Sequence, residues 1–167
     1  MKTRLAVMLL ALEIGGATTI GVAPAPSAAD DAIAATLKKV VEANLAALNK
    51  EDLDAASACI HPKAPLFAAT RETSKRIFET HDLIYELQSF RYIGRDADYA
   101  VARVTQETRK KAGPAFRDNR VDAMHVFRKD GADWKLWQTV VLEVQFLDEA
   151  DRPSSGAPPG TSTRPAM

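Results

Sequence analysis

The pattern of apolar and polar positions is most regular between residues 116 and 146, where two alternating runs flank a short loop at 129–133. Alternation with a period of two predicts strands, and a glycine-containing loop between two such runs predicts a hairpin. Turn-forming residues at 94–98 and 110–115 separate two further predicted strands, at about 85–93 and 99–109. The second half of the chain is therefore predicted to be four strands joined by consecutive hairpins.

Residues 31–48 show helical spacing instead, because apolar side chains recur every three or four positions. Two shorter helices are predicted at 53–60 and 70–82. His61-Pro62 would end the second helix, because the residue before a proline is disfavoured in the helical region. Helices followed by an antiparallel meander predict an α+β fold, with three N-terminal helices packed on a curved four-stranded antiparallel sheet.

One face of the predicted sheet carries most of the large apolar residues, and we expect that face to line a cavity. Arg103, His125 and Gln138 interrupt it with polar groups that a solid core would not need. Asp122 and Trp137 fall on the opposite face, which is apolar enough to predict a homodimer interface. A shift of one residue in any strand would exchange its two faces. The expected inward set is Phe90, Tyr92, Tyr99, Val101, Arg103, Thr105, Val121, Ala123, His125, Phe127, Trp134, Leu136, Gln138 and Val140.

Three short motifs resemble the nuclear transport factor 2-like (NTF2-like) superfamily, in its SnoaL-like bacterial branch. They are the Asn-x-x-Asp-Leu break at 49–53, the His61-Pro62 stop and the Gly-x-x-Trp-Lys-Leu hairpin at 131–136. The resemblance covers about residues 31–147. It implies a cone-shaped half-barrel with a pocket between sheet and helices, often dimeric through the outer sheet face. Members include isomerases, dehydratases, cyclases, epoxide hydrolases and non-catalytic binding proteins, so the fold alone does not give the activity.

The inward polar residues lead to three functional hypotheses. The first is an exported binding or accessory protein without catalysis or cofactor, which holds a small, partly apolar molecule, such as an acid, against Arg103 and His125. The second is an isomerase or dehydratase in which neutral His125 is the general base and Arg103 or Tyr99 stabilises charge. The third is a structural dimer whose own side chains fill the pocket. The predicted ligand-binding residues are Tyr92, Tyr99, Arg103, His125, Trp134 and Gln138.

The net charge, the single cysteine and the spacing of the histidines argue against nucleic-acid-binding, disulfide-bonded and zinc-binding proteins. The formal net charge is +0, with lysine and arginine spread along the chain, so nucleic-acid binding is not expected. The single cysteine, Cys59, excludes an internal disulfide. His61, His81 and His125 lack the local spacing of a zinc site, so no bound metal is expected.

The two ends of the chain differ in composition from the predicted domain at 30–148. Residues 1–29 predict a signal peptide, with Lys2 and Arg4 before an apolar run and Ser27-Ala28-Ala29 as the cleavage site. The mature protein is then expected to be secreted or periplasmic, without stable membrane insertion. A retained anchor is the alternative, but the apolar run falls short of the roughly 20 residues of a spanning helix. The tail at 149–167 is rich in Pro, Gly, Ser and Thr and is predicted to be disordered.

Overall fold

The computed structural model describes residues 28–147, in which three helices precede four antiparallel strands in one sheet of order β1-β2-β3-β4. This arrangement confirms the predicted α+β fold. The predicted tail and nearly all of the predicted signal peptide lie outside the described residues. No helix within 28–147 is long and apolar enough to span a membrane. The elements are α1 (Ala28–Asn49), α2 (Leu53–Ala58), α3 (Phe67–Thr80), β1 (Asp82–Arg95), β2 (Tyr99–Ala112), β3 (Asn119–Asp130) and β4 (Asp133–Phe146).

Helix α1 covers the inner face of the sheet with one apolar stripe. Leu37, Val41 and Leu45 are spaced four residues apart, so they lie on one face of the helix, and all three are buried. They belong to the same core cluster as Ala100 and Ala102 of β2. Two alanines under a helix leave room for its larger side chains, which explains why small residues lie at the centre of this sheet.

The Asn-x-x-Asp-Leu break fixes the turn from α1 to α2. Glu51 has φ of 54°, a left-handed conformation that ends α1. Asp52 caps α2 by accepting a hydrogen bond of 2.9 Å from the Ala55 N–H. Asn49, the last residue of α1, hydrogen-bonds the backbone of Tyr85 in β1. The motif therefore positions both helices relative to the first strand.

Strand β2 turns the opposite set of residues toward the helices from the one predicted. Ala100, Ala102 and Val104 are fully buried and lie opposite Phe127, His125 and Ala123 of β3, respectively. The predicted inward placement of Tyr99, Val101, Arg103 and Thr105 is therefore wrong. Because side chains alternate along a strand, the one-residue error moved every β2 side chain to the wrong face. In β1, Phe90 and Tyr92 pack against the core, as predicted.

Strand β4 follows the predicted alternation only as far as Leu136. Trp134 and Leu136 are buried, as predicted. Leu136 pairs with Phe127 but Gln138 pairs with Val126, so Trp137 is an extra residue in the strand, a β-bulge. The bulge places Thr139 opposite His125 and Val140 opposite Met124. The predicted alignment of Gln138 and Val140 with the inward residues of β3 is therefore wrong, although Gln138, next to the bulge, still borders the cavity described below.

Candidate functional site

A cavity of about 380 Å³ lies between the helices and the inner face of β2, β3 and β4. Its volume is within the range of about 300–1,000 Å³ that is typical of small-molecule sites. Most of the residues that border it are apolar. They are Asn44, Leu48, Ile60, Ala64, Leu66, Phe67, Thr70, Gln106, Val121, Ala123, His125, Leu136, Trp137, Gln138, Thr139 and Val141.

His125 is the titratable side chain of this cavity wall. Strand β3 turns it inward between Ala123 and Phe127, and it is 7% exposed. Its Nδ1 atom is buried and has no hydrogen-bond partner within the described part of the chain. Burial lowers the pKa of His125 from 6.5 to about 4, because a charged imidazolium would be poorly solvated there. His125 is therefore neutral at physiological pH and offers an unused polar nitrogen.

The remaining polar groups of the wall are uncharged. They belong to Asn44, Thr70, Gln106, Gln138 and Thr139, and the residues described as lining the cavity include no Asp, Glu, Lys or Arg. Asn44 uses its side-chain N–H group within the fold, donating a 3.0 Å hydrogen bond to the Ala56 carbonyl. The cavity thus combines an apolar body with a few neutral hydrogen-bonding groups.

The cavity opens between the start of α3 and β4. Leu66, immediately before α3, is 61% exposed, and Val141 of β4 is 55% exposed, although both border the cavity. Large apolar side chains with this much exposure beside a cavity mark its mouth. A ligand would enter past these two residues, while His125 lies on the buried wall.

Arg103, predicted to face His125, lies on the outer face of the sheet. Its guanidinium group donates hydrogen bonds from Nε to both carboxylate oxygens of Asp122, at 2.9 and 3.0 Å, and its terminal nitrogen donates a third. The hydrogen bonds from Arg103 lower the pKa of Asp122. The sheet therefore separates this ion pair from the cavity, and the predicted grouping of Arg103 with His125 is wrong.

The two tyrosines and Trp134 also lie away from the cavity. Tyr99 pairs with Arg128 in the outward register and contacts the ring of Trp137 at 6.2 Å. Tyr92 donates a 3.3 Å hydrogen bond to Asp30. Trp134 is buried in the core and borders a second, more open depression beside α1. Of the six predicted ligand-binding residues, the structure brings only His125 and Gln138 to the cavity.

The predicted ligand-binding residues include none of the cavity residues supplied by the helices and by β2. Phe67 begins α3, but the helix was predicted to start at residue 70, so Leu66 and Phe67 were assigned to an irregular segment. Gln106 was assigned to the outer face because β2 was predicted in the wrong register. Asn44 is a polar residue within the apolar spacing of α1. That interruption is the one feature of the sequence that could have indicated a helix residue at the cavity.

The outer face of the sheet is more charged than predicted. Glu107 is 3% exposed and accepts hydrogen bonds from Arg120 and Arg109, which lower the pKa of Glu107. At the other end of this face, the guanidinium carbon of Arg128 lies 4.6 Å from the centre of the Trp137 ring. A homodimer through the outer face stays a prediction, and such a contact would have to accommodate these ion pairs.

No group of three or more His, Cys, Asp or Glu side chains with the geometry of a metal site occurs within residues 28–147. Burial, the largest influence on Cys59, raises the pKa of its thiol, which disfavours the reactive thiolate.

Solved structures with the same fold share little sequence with this chain. A protein of unknown function from Mycobacterium tuberculosis has a TM-score of 0.61 and 11% identity, covering 81% of this chain and 87% of its own. A candidate aromatic ring hydroxylase from Novosphingobium aromaticivorans has a TM-score of 0.56 and 19% identity, with coverages of 70% and 95%. A candidate dehydratase from the NTF2-like family of Streptomyces avermitilis has a TM-score of 0.55 and 18% identity, with coverages of 65% and 94%.

These similarities and the strand order define an NTF2-like α+β fold, which confirms the fold that the resemblance in the sequence implied. The chain belongs to the family described as "Anti-sigma-I factor RsgI9, C-terminal domain", whose model matches residues 39–147. No curated protein matches the chain. At these low identities the solved structures establish the fold and leave the activity open.

Proposed function

We propose that the cavity binds a small, neutral, largely apolar molecule through a hydrogen bond between a ligand hydroxyl and His125 Nδ1. The single observation that carries this proposal is that His125 borders a 380 Å³ cavity while its Nδ1 atom, buried beside that cavity, has no hydrogen-bond partner within residues 28–147. A buried polar group without a partner costs roughly 1–3 kcal/mol. A ligand that supplies the missing hydrogen bond recovers that free energy on binding.

The chemistry of the wall supports a hydroxyl as the polar group of the ligand. A neutral imidazole has one N–H group and one bare nitrogen, and a hydroxyl both donates and accepts, so it satisfies Nδ1 in either tautomer. A charged ligand would lose its hydration without gaining an opposite charge, because the described lining is uncharged. Arg103, which would have favoured an acid, is engaged with Asp122 on the other face.

A binding module fits the cavity better than an isomerase or dehydratase. A general base works best when its pKa lies near the working pH, and the pKa of His125 is about 4. Arg103 and Tyr99, the groups expected to stabilise charge, lie across the sheet. The family is named for a domain of an anti-sigma factor, and this supports a regulatory or accessory role in which ligand binding itself is the function.

The site of action follows from the predicted export signal. The charged start, apolar run and small-residue cleavage site within residues 1–29 support a secreted or periplasmic protein. In that location the cavity would sample molecules outside the cytoplasm. N-terminal sequencing of protein recovered from the culture medium or periplasm tests this part of the proposal: a start at Met1 would contradict cleavage.

The binding proposal is tested with two probes that differ by one hydroxyl group, para-ethylphenol and ethylbenzene. Calorimetry should show that the wild-type protein binds para-ethylphenol more tightly, by about fivefold to thirteenfold for one hydrogen bond of roughly 1–1.5 kcal/mol. His125→Leu should remove that preference while retaining the binding of ethylbenzene. Arg103→Gln, on the outer face, is the matched control and should behave as the wild type. Equal affinity of the wild-type protein for both probes, or no binding of either, would contradict the proposal.

A further inference from the structure

The sheet wall of the cavity carries two widely separated polar groups with apolar side chains between them. One is His125 of β3, and the other is Gln106 of β2, which pairs with Val121 of β3. Val121, Ala123 and Val141 also border the cavity and lie between the two polar groups. The hydrogen-bonding groups that a ligand meets on this wall are therefore spread along the strands.

The strand register sets the separation of His125 and Gln106. His125 pairs with Ala102, and the β2–β3 pairing runs without a shift from there to Gln106 and Val121. Ala102 and Gln106 are an even number of residues apart, so both face the helices. Four residues of a strand span about 13 Å and neighbouring strands lie about 5 Å apart, so the Cα atoms of His125 and Gln106 are roughly 14 Å apart.

The side-chain amide of Gln106 is free to contact a ligand. Gln106 is half-buried at the cavity, and its amide forms no side-chain hydrogen bond with another residue among 28–147. An amide has a carbonyl acceptor and two N–H donors, so it can bind either a hydroxyl or a carbonyl group. Gln138, the other glutamine of the lining, pairs with Val126, next to His125. Gln106 is therefore the polar group of the described sheet lining that lies farthest from His125.

We propose that the ligand of this cavity is an elongated, largely apolar molecule with a neutral polar group at each end, one bound by His125 and the other by Gln106. This inference rests on the proposed binding function and adds the length and the second polar group of the ligand. The apolar middle of the ligand lies against Ala123 and Val141. Both end groups are hydroxyls or carbonyls, because the described lining offers no charge to compensate an ion.

Two rigid probes that differ by one distant hydroxyl group, 4-phenylphenol and 4,4′-biphenol, test the second contact by calorimetry. The two oxygens of 4,4′-biphenol are about 10 Å apart, and a hydrogen bond of about 2.8 Å at each end extends its reach to roughly 15 Å. The wild-type protein should bind 4,4′-biphenol more tightly. Gln106→Met should lower the ratio of the two affinities by about threefold to tenfold, the value of one neutral hydrogen bond. Gln145→Met is the matched control and should keep the wild-type ratio, because Gln145 is exposed and pairs with Arg120 in the outward register.

Para-ethylphenol separates failure of this inference from failure of the proposed function. It is too short to reach Gln106 from His125, so Gln106→Met should bind it as tightly as the wild type does. If Gln106→Met leaves the ratio for the two long probes unchanged while the wild-type protein still prefers para-ethylphenol to ethylbenzene, the second contact is overturned and the first stands. Equal binding of the two short probes would overturn both.

Nitrogen–proton NMR of the glutamine side-chain amides provides a second measurement, which needs no substituted protein. The amide signal of Gln106 should shift when the wild-type protein is titrated with 4,4′-biphenol and stay constant with para-ethylphenol. The signal of Gln145 should stay constant with both probes. An unshifted Gln106 signal at saturating 4,4′-biphenol would overturn the proposal.

Discussion

The side-chain amide of Asn49 pairs with the backbone of Tyr85 much as a neighbouring strand would. Asn49 Nδ2 donates to the Tyr85 carbonyl at 2.9 Å, and the Tyr85 N–H donates to Asn49 Oδ1 at 2.7 Å. These two bonds attach the end of α1 to β1. Because Asn44 and Leu48 of the same helix border the cavity, the Asn49 contact also sets the position of the cavity roof.

Asn49→Ala should lower the free energy of unfolding by about 1–2 kcal/mol, because it removes both hydrogen bonds and leaves the Tyr85 backbone groups to water. Urea denaturation followed by tryptophan fluorescence measures the change. Asn49→Asp retains the acceptor and loses the donor, so its stability should be intermediate. Stability of Asn49→Ala equal to the wild type would show that the contact does not anchor the helix.

His125→Leu should raise the stability of the ligand-free protein by about 1–2 kcal/mol, because it removes a buried polar atom that lacks a partner among the described residues. His125→Met provides a second variant with a more adaptable shape. Thermal and urea unfolding measure the effect. If both variants are instead less stable than the wild type, His125 serves the fold and the Nδ1 atom has a structural partner.

Stability should fall on acidification between pH 6.5 and about 4 through His125. Its pKa is lowered to about 4 in the folded protein, so over this interval the unfolded chain binds the extra proton. The contribution is fully present above pH 6.5 and is lost as the pH falls toward 4, with a total of roughly 3 kcal/mol. His125→Leu should abolish this loss in urea titrations at a series of pH values, whereas His81→Gln, outside the cavity lining, should retain it. A wild-type curve identical to that of His125→Leu would contradict the burial argument.

Arg103→Gln should leave the affinity for para-ethylphenol unchanged, because its guanidinium group is bound to Asp122 on the far side of the sheet. The side chain is 47% exposed, so the ion pair is screened by solvent and contributes little to stability. Calorimetric titration of the variant checks this. A large loss of affinity would place Arg103 near the ligand after all and contradict the observed strand register.

The element order, the hairpins and the inward position of His125 were predictable from periodicity. Gly131, with φ of 64°, lies in the turn that its sequence predicted, and the buried Phe127 and His125 alternate with half-buried residues along β3. The same alternation predicted the wrong face in β2. Either of its two alternating sets could form the inner face, namely Tyr99, Val101 and Arg103 or Ala100, Ala102 and Val104. The larger side chains of the first set favoured that set for the inner face. The packing of α1 against the sheet instead requires the smaller side chains of the second set.

The shape of the cavity was less predictable because it depends on two irregularities. The bulge at Trp137 shifts Thr139 into register with His125, and no two-residue period encodes such an insertion. Leu66 and Phe67 reach the cavity from the start of α3, whose spatial position depends on contacts distant in sequence. Local patterns therefore identified the wall that holds His125 and missed much of the opposite side.

The central claim is that His125 Nδ1 forms its hydrogen bond with a ligand in the cavity. Nitrogen NMR of histidine-labelled protein titrated with para-ethylphenol tests it most directly, and His61, whose Nδ1 already accepts a 3.0 Å hydrogen bond from the Lys63 N–H, is an internal reference. We expect the Nδ1 resonance of His125 to shift on titration while that of His61 stays constant. An unchanged His125 resonance at saturating para-ethylphenol would contradict the account.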